Sequence, residues 1–106
     1  MPGVAVIRIE GEMNGFAEEA LMTAYSQVDS DPFRMILLDF GGLEYMNSTG
    51  IGLLVTLLIR AQRQEQRLLA CGLSEHYKQI FDLTRLNEAI AIYDTKEDAL
   101  AAVGVI

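Results

Sequence analysis

Short apolar runs rich in β-branched residues alternate along the chain with segments whose apolar residues recur at helical spacing, and that alternation leaves few possible architectures. Val4 to Ile9 reads as a strand. Asn14-Gly15 is a turn signal, and after it Ala17, Ala20, Leu21, Ala24 and Val28 keep a helical period. Glu18 and Glu19 sit in that helix's first turn, where the dipole favours acids, and Asp31-Pro32 closes it. Met35 to Leu38 is wholly apolar, as strands buried on both faces of a parallel sheet are. A second helix follows from about Thr49, and Leu68 to Cys71 is the next strand. Tyr77, Ile80 and Phe81 mark a third helix capped by Ser74, and Ala89 to Tyr93 is a fourth strand. Thr95-x-x-Asp98 is a capping box opening a fourth helix that buries Ala99, Leu100 and Val103. The pattern predicts an α/β fold of alternating β-α units: a mostly parallel central sheet of about four strands with about four helices and right-handed crossovers.

With 106 residues, 51% of them apolar, the chain suits a single domain over residues 1–106 that buries a core without staples. No apolar run approaches the length a membrane span needs, and Met1-Pro2-Gly3 does not read as a signal peptide. A formal charge of −7, with lysine only at Lys78 and Lys96, leaves no basic stripe to neutralise phosphates, which argues against nucleic acid and against anionic membranes. The lone Cys71 cannot form an internal disulfide and fits the cytoplasm.

In open α/β sheets functional groups gather where strands lead into helix N-termini. The most distinctive such stretch runs from Asp39 through Asn47-Ser48-Thr49-Gly50 to Gly52, read here as one long loop. Asn47 or Ser48 can cap the helix, and Gly50 and Gly52 leave its first turn open to close approach. Catalytic readings fail. Ser48 is not set in a Gly-x-Ser-x-Gly elbow, and no Gly-Lys-Ser/Thr phosphate loop or dinucleotide fingerprint exists. His76 has no companion at metal-ligand or triad spacing and reads as a surface residue. Asp39 stands alone, as a solvated strand-end residue or a loop-bonding acceptor, and Cys71 reads as a packed thiol. Met13, Met35 and Met46 read as core filler. The chain therefore carries no catalytic, metal or cofactor set. Within the helix after Ser48, Ile51, Leu54, Val55 and Leu58 form the expected core stripe. Leu53 and Leu57 fall to its side, either packed on a neighbouring helix or forming an apolar docking patch beside the cap.

The block Ile36-Leu37-Leu38-Asp39 through Met46-Asn47-Ser48-Thr49-Gly50-Ile51-Gly52-Leu53 resembles the signature of STAS domains, in particular bacterial anti-sigma factor antagonists. Val6 to Asn14 looks like the family's early strand and turn, and Ile80 to Leu86, Ile92 to Thr95 and Glu97 to Leu100 look like its C-terminal helix, strand and helix. The resemblance implies a phosphorylation site at Ser48, with Asn47, Thr49 and Gly50 as its loop. It also implies a partner-binding surface including Asn14, Asp39, Gly52, Leu53 and Leu57. An anti-sigma factor serine kinase would bind the unmodified domain and release its sigma factor; phosphorylation would end the complex and a serine phosphatase would reset it. Relatives commonly have aspartate where this chain has Asn47 and Asn14, and often glycine at Arg85. They also tend to carry a strand ahead of Val4, whose lack would expose a sheet edge and invite a homodimer. A structural STAS subunit of a signalling or lipid-transport assembly, and a nucleotide-binding module, are the alternative implications.

Overall fold

The computed structural model describes residues 4–29 and 35–104, with the side chains of Val28 and Asp29 left out. The Asp31-Pro32 stop and the inward role of Val28 lie outside the described residues. Four strands and four α-helices alternate: β1 (Val4–Met13), α1 (Glu18–Asp29), β2 (Met35–Met46), α2 (Ser48–Arg63), β3 (Arg67–Cys71), α3 (Glu75–Leu83), β4 (Ile90–Tyr93) and α4 (Lys96–Ala102). The strands pair in parallel in the order β1-β2-β3-β4, as the alternation requires.

Successive residues on each strand go to opposite layers. Ile7, Leu38, Ala70 and Ile92 lie in register on one face, packed under Leu21 and Tyr25 of α1, Leu53, Leu54 and Leu57 of α2, and Phe81 of α3. Leu37, Leu69 and Cys71 point the other way, toward Ala99, Leu100 and Val103 of α4. Ile36, Leu37 and Leu38 are completely buried, so β2 is covered on both faces. Phe40 and Phe81 meet edge to face at 6.0 Å, tying β2 to α3.

Two strands extend beyond the sequence expectation. β1 continues to Met13 and β2 to Met46, so most of the stretch read as a loop is paired strand. The reason is visible in the register. β2 places Asp39 to Gly42 opposite Arg8 to Glu10, and Leu43 to Tyr45 opposite Gly11 to Glu12, taking up one extra residue each time. These two bulges let a glycine-rich, polar segment stay hydrogen-bonded to β1. Single 3-10 turns at Gly15–Ala17 and Leu86–Glu88, absent from the sequence reading, complete the chain. The caps expected at Ser74 and Thr95 are formed, accepting from the Tyr77 and Asp98 N–H groups at 3.4 and 3.0 Å.

Candidate functional site

The loop between β2 and α2 reduces to Asn47. Its backbone is extended, and its Oδ1 accepts from the Gly50 N–H at 3.0 Å, which makes Asn47 the N-cap and Ser48 the first helical residue. Ser48 and Thr49 are exposed. The start of α2 is held from two sides. The Asn47 N–H donates to the Met13 carbonyl at 3.3 Å, and the Met46 N–H donates to the Tyr77 hydroxyl of α3 at 2.8 Å.

The end of β1 completes the rim. Asn14 Oδ1 accepts from the Phe16 N–H at 2.9 Å and so caps the 3-10 turn. A side chain on Gly15 would touch the Thr49 methyl at 3.6 Å. Asn14, Asn47, Ser48, Thr49, Gly50 and Gly52 are thus brought to one end of the sheet. Phe16, 96% exposed, stands at the same rim. Sequence reasoning passed over Phe16 and over Tyr77 as the support of the Ser48 turn. An aromatic directly after a turn signal was the one available hint of the former.

Three expectations need correction. Leu53 and Leu57 form no docking patch: they are 7% and 0% exposed and belong to the core. The inward face of α2 is Gly50, Leu53, Leu54, Leu57 and Ala61, while Val55 and Ile59 are exposed and Ile51 and Leu58 half-buried. The helix is therefore turned by about one residue, roughly 100°, from the expected stripe. Gly50 sets that rotation. A β-carbon there would collide with the Met13 carbonyl and come within 2.8 Å of Met46 Cγ, so the close approach it permits is to the protein's own β1. At Gly52, by contrast, a β-carbon would meet nothing.

Asp39 does not join the rim. It lies seven residues before Met46, about 20 Å back along the strand. Its Oδ1 accepts from the Gly41 N–H at 2.9 Å within the first bulge, in keeping with the acceptor reading, and its carboxylate acts electrostatically on the Cys71 thiol. Burial, followed by the Asp39 charge, pushes Cys71 up to about 11, so the thiol stays protonated at neutral pH and is a poor nucleophile. His76 is exposed, its ring edge-on to Tyr77 at 4.9 Å. Among the described residues no group of three or more His, Cys, Asp or Glu could hold a metal ion, and no helix is long and apolar enough to cross a membrane.

Comparison with known proteins gives this rim a context. The anti-sigma-B factor antagonist of Staphylococcus aureus is 24% identical over 91 residues, covering 86% of this chain and 84% of that protein. The structure of the anti-sigma factor antagonist SpoIIAA in its unphosphorylated form superposes with a TM-score of 0.76 at 23% identity, covering all of this chain and 94% of the other. The STAS domain of a SulP transporter from Vibrio cholerae superposes with a TM-score of 0.81 at 20% identity, over 97% and 83% of the two chains. The family model for the STAS domain matches residues 1–99, and this chain belongs to the STAS domain family.

Proposed function

We propose that the protein is an anti-sigma factor antagonist: a binding module that engages an anti-sigma factor serine kinase and is released when Ser48 is phosphorylated, a serine phosphatase restoring it. The carrying observation is the exposed Ser48 at the first helical position of α2, on a rim fixed by Asn47, Met13 and Tyr77. The relatives named antagonists lend the class, and SpoIIAA has been solved in both unphosphorylated and phosphorylated forms.

The physics of such a switch lies in the complex. A phosphate adds about −1.5 to −2 charge and three acceptor oxygens. On the free domain it faces the N-terminal N–H groups and positive dipole end of α2, a setting worth up to ~2 kcal/mol, so the fold tolerates it. Buried under a partner, the same anion loses water beside apolar side chains. With Leu53 and Leu57 in the core, those apolar neighbours are Phe16 at the rim and, down the outer face of α2, Val55. About 2.8 kcal/mol of desolvation penalty weakens binding roughly 100-fold.

The test is calorimetric titration of the kinase with wild type, Ser48→Asp and Ser48→Ala, alongside intact-mass analysis of the protein from its native cells. Ser48→Asp should keep its melting temperature and lose about 100-fold in affinity, while Ser48→Ala should bind but resist switching. Equal affinity of Ser48→Asp and wild type would sink the mechanism. The fold shared with a transporter STAS domain supports a second reading, a constitutive subunit in which Ser48 only begins a helix. A stable complex indifferent to Ser48 phosphorylation would select it.

A further inference from the structure

β1 is the outermost strand of the sheet, ten residues long, and among the described residues one of its edges has no neighbouring strand. Long free edges template pairing with another chain, and proteins block them with proline, lysine or shortness. β1 has none of these. A groove of about 140 Å³ runs along this edge beneath α1, floored by Ile7 and Ile9 and walled by Ala17, Ala20 and Ala24.

Exposed charges on β1 make the edge self-complementary. Arg8 Nε lies 3.1 Å from Glu10 Oε2, with both side chains about two-thirds exposed, at 68% and 65%. In an antiparallel pair related by a two-fold axis normal to the sheet, opposed residues share a face, and the axis position decides which charges meet. An axis at Ile9 sets Arg8 of each copy against Glu10 of the other. An axis at Arg8 opposes Arg8 to Arg8, and one at Glu10 sets Arg8 against Glu12 but opposes Glu10 to Glu10. One at Gly11 opposes Glu10 to Glu12, and one at Ile7 sets Arg8 against Val6, so that the Ile9 axis is the one that joins opposite charges with no like pair opposed. Charge thus selects a single register.

We propose that the occupant of this edge is a second copy of the chain, its β1 pairing antiparallel with this one about Ile9 to give a continuous eight-stranded sheet. Ile7 and Ile9 of each copy then border the other's groove. The antiparallel arrangement sends the two Ser48 rims to opposite ends, so the dimer stands independently of the switch proposed above.

Sedimentation of wild type, Arg8→Glu and Glu10→Arg across the micromolar range tests the register, with circular dichroism to verify the fold. Wild type should dimerise with concentration. Each variant alone should dimerise at least about tenfold more weakly, because like charges then oppose twice across the axis. An equimolar mixture of the two variants should recover the dimer, one variant's acids facing the other's bases. The proposal is overturned by a wild type that stays monomeric, which would leave the edge to a strand of another protein, by a dimer indifferent to both substitutions, or by a mixture no tighter than either variant alone.

Discussion

Gly50 and Gly52 stand two positions apart in one helix, and their substitution by alanine should have opposite effects. Alanine is ordinarily the better helix former by roughly 0.5–1 kcal/mol. Gly52→Ala, in open space, should gain that amount. Gly50→Ala would drive a methyl into the Met13 carbonyl and should lose about 2 kcal/mol by displacing α2 from β1. Urea denaturation of the pair measures both. Arg85 offers a third substitution. It holds φ of 62° after α3, a left-handed geometry that costs a side-chain-bearing residue roughly 1–2 kcal/mol. Part of that is offset by glycine's freer unfolded chain, so Arg85→Gly should stabilise by about 0.5–1 kcal/mol and raise the melting temperature by several degrees. These residues divide what the sequence tells from what it withholds. Asn47 as cap and Ser48 as an outward hydroxyl follow from local helix chemistry. That Gly50 serves a contact with Met13, 37 positions away, is a tertiary fact that no window around residue 50 contains.

The same contact governs the element. Helix α2 has apolar residues at Ile51, Leu53, Leu54, Val55, Leu57, Leu58 and Ile59, nearly all round its circumference, so periodicity identifies it as a helix without fixing which side faces the sheet. Gly50 supplies the missing phase. Leu57→Ala should therefore cost about 3 kcal/mol, whereas Ile59→Ala, at a half-exposed site, should cost less than about 1 kcal/mol. The reverse order in thermal unfolding would mean that α2 does not turn Leu57 into the core. Strand β2 shows a second limit of local reading. Its core segment Ile36 to Leu38 was plain from composition, but its continuation through Gly41-Gly42 depends on bulges against β1, and pairing partners are not written in either segment. Where caps and turn residues carried the signal, as at Ser74 and Thr95, element boundaries came within a residue or two.

For the whole molecule, one sheet direction decides where charge collects. Because every strand runs parallel, every helix begins at the same end. Glu18 and Glu19, Glu75, and Glu97 and Asp98 occupy the first turns of α1, α3 and α4, with Glu12 and Glu44 on the strand ends beside them. Arg60 and Arg63 in the last turn of α2, and Arg67 opening β3, lie at the far end. The Ser48 end is thus strongly anionic even with Lys78 and Lys96 there, whereas at the far end Glu65, Asp82 and Glu88 offset most of the arginine charge. A basic partner approaching the Ser48 pole would be drawn in and oriented before contact, and its association rate should fall about tenfold as salt rises from tens of millimolar to half molar while dissociation barely changes, a pattern stopped-flow mixing can read. Helix α2 alone among the four begins without a carboxylate. A phosphoryl group on Ser48 would make its start as anionic as its neighbours', so the chemistry that turns a partner away would, for the isolated chain, only bring α2 into line with the other three helices.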